Sequence, residues 1–169
     1  KGPAARRDAI ETDRLADSAA RSRNDAAASA KARQRAIDLS NRLVSQYPNY
    51  QYRLTYQVLA ARLLGETGQR DQAVEALRAL VSQNKSFPAR ADAMVQLAVT
   101  LDSAGKKADA AQAYEQFAAA YPGDKRAPDA QYNAAVTYAE SGDNATAARA
   151  YATFAARFPR DPRAAQAPQ

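Results

Sequence analysis

Residues 91–127 read ADAMVQLAVTLDSAGKKADAAQAYEQFAAAYPGDKRA, and residues 128–164 read PDAQYNAAVTYAESGDNATAARAYATFAARFPRDPRA. Aligned without gaps at a period of 37, the two stretches agree at 18 positions. The agreement goes beyond Ala against Ala. Gly105 matches Gly142, Tyr114 matches Tyr151, Phe117 matches Phe154, Pro122 matches Pro159 and Asp124 matches Asp161. Fixed-period self-similarity of this length is the mark of a repeat architecture, in which each unit buries its apolar face against its neighbours.

The same ruler laid upstream puts Gly68 under Gly105, Leu64 under Leu101, Ala61 under Ala98 and Ala73 under Ala110. Residues 54–90 are therefore a third, more diverged copy. One further step back registers Ala36, Leu43 and Pro48, but only over the second half of a unit, because Asn24 and Lys31 fall where small residues or Gly are needed.

Each copy predicts two helices. Met94, Leu97, Ala98 and Leu101 follow i, i+3, i+4, i+7 spacing, which gathers them on one helical stripe. Gly105 stands where that stripe stops and suits a left-handed C-cap. A second stripe follows in Ala110, Ala113, Tyr114, Phe117 and Tyr121, and Pro122 ends it because Pro lacks an amide proton. Helices of this length are marginal alone in water, so stacking must stabilise them.

Composition agrees. Hydrophobic residues make up 46% of the chain, yet 44 residues are Ala, so the bulky apolar side chains are few. Ala is the strongest helix former, and six Gly, no Trp and scarce β-branched residues argue against sandwiches, barrels and doubly wound sheets. With no Cys there is no disulfide, thiol nucleophile or thiolate metal site; with no His there is no imidazole base or His-ligated metal. No cofactor or metal is expected, and no Gly-rich phosphate loop is present. No apolar run is long enough to span a membrane.

The repeats resemble the tetratricopeptide family, whose unit is a helix–turn–helix of about 34 residues. Numbering a unit from Ala91, the family's small residue at position 8 is Ala98, its large residue at 11 is Leu101, its small residue at 20 is Ala110, its aromatic at 24 is Tyr114 and its Pro at 32 is Pro122. The next unit offers Ala135, Tyr138, Ala147, Tyr151 and Pro159. The chain departs at position 4, where the family's usual Trp is replaced by Gln57, Met94 or Gln131, and its period is longer. That period, with YPGDKRAPDAQY between units, looks like bacterial cell-envelope members such as the CpoB and BamD groups.

The resemblance implies an all-α, right-handed superhelical solenoid of antiparallel helix pairs. It also implies a non-catalytic scaffold that binds a protein or peptide in a concave groove. The expected setting is a multiprotein complex of the bacterial periplasm or cell envelope. In this family the groove is lined by helix A positions 2, 5, 9, 12 and 13. Carried over, its principal residues are Val58, Arg62 and Glu66, then Val95, Val99 and Asp102, then Tyr132, Val136 and Glu140. Tyr132, with a large apolar face and a hydroxyl, is the expected anchor. Asp102 and Glu140 occupy neighbouring positions and are the one carboxylate pair to weigh for acid–base chemistry. No loop is long enough to close a pocket over them.

Residues 1–53 carry 11 basic and 6 acidic side chains, against 13 and 12 in the remainder. The Arg residues interleave with acids at helical spacing: Arg7 with Glu11, Asp17 with Arg21, Asp38 with Arg42. A solvated helix with internal ion pairs is favoured over nucleic-acid binding, and Arg21, Arg23, Arg33 and Arg35 form the rival binding surface. Residues 4–47 lack Pro and Gly and predict one long helix, with a break at Ser22-Arg23-Asn24-Asp25 as the alternative. In the first case residues 1–30 form a basic arm able to self-associate, and residues 31–53 supply helix B of an incomplete repeat plus a Tyr-rich junction. Tyr47, Tyr50, Tyr52 and Tyr56 cluster there, either buried by packing or exposed to a partner. The units then run 54–90, 91–127 and 128–164. Residues 165–169 are the start of a further helix or a tail. Because the chain begins at Lys1 and its pattern breaks off inside a repeat, a longer parent protein is expected.

Overall fold

The computed structural model describes residues 2–22 and 24–166. Those residues contain eight α-helices and no strand: α1 Pro3–Arg21, α2 Ala26–Gln46, α3 Arg53–Glu66, α4 Arg70–Gln83, α5 Arg90–Ser103, α6 Lys107–Ala120, α7 Ala127–Glu140 and α8 Asn144–Arg157. A short 3-10 turn follows at Pro162–Gln166. The fold class is the expected one, all-α and built of helix pairs. Two compact units are present, Lys1–Arg90 and Ala91–Gln169.

The turns inside the pairs come directly from the repeat. Gly68, Gly105 and Gly142 have φ of 87°, 75° and 87°, a region that costs a residue with a Cβ about 1–2 kcal/mol. The residue after each Gly donates its N–H back across the turn: Gln69 to Leu64 O, Lys106 to Leu101 O and Asp143 to Tyr138 O, all at 3.0 Å. This Schellman closure satisfies helix-end carbonyls and folds helix B back against helix A. The small residues at the family's positions 8 and 20 are buried as expected. Ala61, Ala98 and Ala135 are 1%, 0% and 0% exposed, with Ala73, Ala110 and Ala147 similarly enclosed.

In the first unit the single long N-terminal helix is not formed. The chain breaks after Arg21 and restarts at Ala26, where the Asp25 side chain caps α2 by accepting from the Ala28 N–H at 3.0 Å. Arg23 lies outside the described residues. Helices α1 and α2 pack on each other as a complete pair, and Ala5, Ala9, Leu15 and Ala19 are buried. Ser29 Oγ donates to Ala19 O at 2.9 Å across the turn. In the expected arm at residues 1–30, the Ala5, Ala9, Leu15 and Ala19 stripe is therefore covered, while Ile10 stays open. Leu15, Ala36, Ile37 and Leu63 form a core to which α1, α2 and α3 all contribute.

The 37-residue ruler missed this pair because its helices are longer than the others. Helices α3 to α8 have 14 residues each, whereas α1 has 19 and α2 has 21. Each arm thereby gains roughly one and a half to two turns, so helix A begins far upstream of where the period places it.

The expected helical ion pairs also rearrange. Asp17 and Arg21 do approach, at 3.9 Å. Glu11, however, is taken by Arg14 through two hydrogen bonds of 2.7 and 2.8 Å. Arg42 reaches across to α1 and grips Asp8 at 2.8 and 3.2 Å, and Asp38 accepts instead from Gln34 at 3.0 Å. Asp8 is 9% exposed, and the guanidinium that compensates its carboxylate comes from the neighbouring helix.

Candidate functional site

In the second unit two ionic contacts set α5 beside α7. At one end Arg126, at the N-cap position of α7, donates to Asp92 in the first turn of α5 at 2.6 Å. At the other end Lys107 Nζ lies 2.6 Å from Asp102 of α5 and 2.8 Å from Glu140 of α7. The two helices therefore run parallel, N-terminus beside N-terminus. Their equivalent positions Val95 and Tyr132, and Val99 and Val136, fall in the same register. Val99 is 41% exposed, one of three exposed large hydrophobic residues among those described. Val95, Tyr132 and Val136 are half-buried.

Tyr132 is held rather than free. Its ring meets Tyr151 and Phe154 edge-on at 5.7 and 5.4 Å, and the Arg163 guanidinium lies over it at 4.8 Å. The ring presents a fixed surface, while Val99 is the side chain with most area open. Of the three Tyr at the family's large and aromatic positions, Tyr114 is buried; Tyr138 and Tyr151 are half-buried. Tyr138 donates its hydroxyl to Glu115 at 3.2 Å.

At the charged end of this face both carboxylates are bridged by a single cation, which leaves a net negative charge. One ammonium bridges Asp102 and Glu140, and those two hydrogen bonds, Asp102's first, raise the Lys107 pKa. The pair weighed for acid–base chemistry is thus a set of counter-ions around a lysine.

Missed in the sequence is a clasp that recurs in the loops after α6 and α8. Asp124 Oδ1 accepts from the Arg126 N–H and Nε, both at 2.9 Å, and Oδ2 accepts from Nη2 at 2.8 Å. Asp161 and Arg163 repeat this at 3.0, 2.9 and 2.7 Å. Each Arg then reaches 34 residues back, to Asp92 or to Asp129, the latter at 2.8 Å. Each also covers an aromatic ring, Arg126 that of Phe117 at 5.5 Å. The signal was present: Asp-x-Arg occurs in both copies at the common period.

The side-chain hydrogen bonds from Arg126 and Arg163 pull Asp124 and Asp161 down to about 2. Depressed carboxylates stabilise the fold above their unfolded pKa, about 3.9, and that contribution is lost as pH falls through the folded value. We expect the urea midpoint to hold above pH 5 and to fall steeply between about pH 4 and pH 2. In the double variant Asp124→Asn, Asp161→Asn the midpoint is lower at neutral pH and that acid limb is shallower.

In the first unit, Val58 is 8% exposed and belongs to the packed interior. Arg62 and Glu66 pair with each other at 3.4 Å, while Arg33 joins Glu66 at 3.4 Å. With Asp17 and Leu63 they line a polar hollow of about 430 Å³. The rival basic surface is accordingly depleted: Arg21 and Arg33 are paired, Arg35 is exposed, and Arg23 is outside the described residues. The Tyr cluster divides. Tyr50 stacks on Tyr56 at 6.5 Å and meets Tyr52 edge-on at 5.7 Å. The Tyr56 hydroxyl donates to Asp13 at 2.9 Å, and burial, then that bond, raise its pKa. Tyr52 is 47% exposed. No helix is long and apolar enough to cross a membrane, and no cluster of metal-ligating side chains occurs among the described residues.

Two family models, both described as tetratricopeptide repeat, match residues 58–125 and 129–161. No curated protein matches the chain in sequence. Among solved structures, nearly identical TPR-like repeats assigned to a Podosopora anserina kinesin light chain superpose with a TM-score of 0.67. The identity is 19%, over 91% of this chain and 76% of that one. MamA gives 0.58 at 20% identity, covering 81% and 75%. YrrB, described as a TPR protein with an unusual peptide-binding site, gives 0.55 at 18%, covering 83% and 71%. At these identities the likeness establishes the fold. The Gly-turned helix pairs, the enclosed small residues and the two matched segments together place this chain in the tetratricopeptide repeat family.

Proposed function

We propose that the chain is a non-catalytic interaction scaffold that takes an extended or helical peptide segment of a protein partner on the α5/α7 face. The observation that carries this is the exposure of Val99 beside Val95, Val136 and the fixed ring of Tyr132, on a face whose charges are already paired. A partner can cover apolar area there without stripping water from an unpaired ion, and such burial is worth about 25 cal/mol per Å². The peptide-binding site reported for YrrB, a structural neighbour, supports the same reading.

Within this proposal the partner belongs to a bacterial envelope complex. The support is the 37-residue period and the YPGDKRAPDAQY linker, which look like the CpoB and BamD groups. Fractionating the source cells tests the setting, and a protein found wholly in the cytoplasm removes it. To test the site, a photo-crosslinking amino acid at position 99 identifies the partner, whose contacting peptide is then titrated by calorimetry. Val99→Asp is expected to weaken that peptide at least tenfold with an unchanged thermal melt. Equal affinity would move the site off this face.

A further inference from the structure

The first unit carries a second surface that the α5/α7 reading does not use. The first turns of α1 and the loop between α2 and α3 enclose an open groove of about 1220 Å³. Ile10, 61% exposed, and Tyr52, 47% exposed, are two of the three exposed large hydrophobic residues among those described, and both line it. Tyr52 is braced edge-on by Tyr50, which in turn stacks on Tyr56. An exposed aromatic on a rigid stack offers contact area at little cost in side-chain entropy.

Charge decides what would cover it. Arg6 and Arg7 line the same groove and are exposed, and neither has an ion pair among the described residues. None of the nearby acids on α1 pairs with them: Asp8 is held by Arg42, Glu11, which also lines the groove, by Arg14, and Asp13 accepts from the Tyr56 hydroxyl. The groove therefore combines an apolar floor with two guanidiniums that lack an ion-pair partner, and guanidiniums pair well with carboxylates. Two cations are too few for a nucleic-acid backbone track, and the apolar floor would be wasted on one.

We propose that this groove docks an acidic peptide segment, seating a large apolar side chain on Ile10 and Tyr52 and its flanking carboxylates on Arg6 and Arg7. The site is separate from the α5/α7 face and stands or falls independently of it.

The test pans a displayed random-peptide library on the full chain, with counter-selection on Arg6→Glu/Arg7→Glu. Enriched sequences are expected to place Asp or Glu within three positions of Leu, Phe, Tyr or Trp. A synthetic peptide of that consensus should bind at least tenfold more weakly to Arg6→Glu/Arg7→Glu and to Tyr52→Ala. It should bind Val99→Asp as it binds the parent chain, and lose affinity as salt rises. Ile10 and Tyr52 are exposed, so circular dichroism melts of Ile10→Ser and Tyr52→Ala should match the parent. Failure to enrich any counter-selectable peptide overturns the proposal, as does a basic or uncharged consensus. So does a dimer by light scattering that Ile10→Ser abolishes, since a second copy would then be the occupant.

Discussion

Replacing Phe117 by Ala is expected to cost about 3–5 kcal/mol, the usual range for a large aromatic deleted from a packed interior. The ring is fully enclosed. It lies 5.8 Å from the Tyr121 ring, and the Arg126 guanidinium covers it at 5.5 Å. Its neighbours on the helix, Ala113 and Ala118, are too small to collapse into the space. The deletion also removes the surface on which Arg126 rests, loosening the clasp to Asp124 and Asp92. Against a total stability of about 5–15 kcal/mol for a domain, this one change removes a large share of the margin and should lower the unfolding midpoint of the second unit sharply. Half-buried Phe158, replaced in the same way, should cost distinctly less. Urea unfolding followed by circular dichroism measures both, and a Phe117→Ala cost below that of Phe158→Ala would mean the ring is not the centre of this core.

The second large effect comes from adding volume. Ala98 and Ala135 are completely enclosed at the helix A position where the fold demands a small residue. Ala135→Leu forces off-rotamer side chains or helix displacement, at about 1–3 kcal/mol. The comparison is Asp143→Asn. Asp143 caps α8 by accepting from the Thr146 N–H at 3.0 Å, and Asn caps as well as Asp does, so the change should be nearly silent. Thermal melts that rank these two substitutions the other way would show that the repeat register is misplaced.

How far such features could be read from residues alone depends on the range of the forces involved. A glycine in the left-handed region, a proline behind a helix and a small residue at a crossing are each dictated by local sterics, so the repeat period exposed them. The pair α1–α2 carried such marks only in and just after its second helix, at Ala36 and Pro48. Ser22 to Asp25 can cap a helix or continue one, and no Gly stands between the arms. What resolved the ambiguity was burial of the Ala5, Ala9, Leu15 and Ala19 stripe against α2, together with the charged contact from Arg42 to Asp8.

The candidate site shows the same division. Register placed Val58, Val95 and Tyr132 at one equivalent position, yet Val58 is packed inside while Val95 and Tyr132 are half-open. Of the three ion pairs expected from i, i+4 spacing, Asp17 with Arg21 forms. Glu11 is taken by Arg14, and Arg42 leaves Asp38 for Asp8 on the neighbouring helix, a choice that spacing within one helix cannot reveal. Ile10 and Tyr52 stand far apart in the chain with no pattern linking them, and only the fold sets them on one groove.

Residues alone therefore specify an all-α chain, the Gly turns of the last three helix pairs, the Pro stops after the last two, the positions of the enclosed small residues and the absence of Cys and His chemistry. These follow from backbone sterics and side-chain volume within about one helical pair. Tertiary structure alone decided that the N-terminal third is a complete, lengthened pair. It also decided which acids neutralise which cations, and which apolar side chains stay open to a partner. Those outcomes depend on what packs above each side chain, and desolvation acts between segments that the sequence keeps far apart.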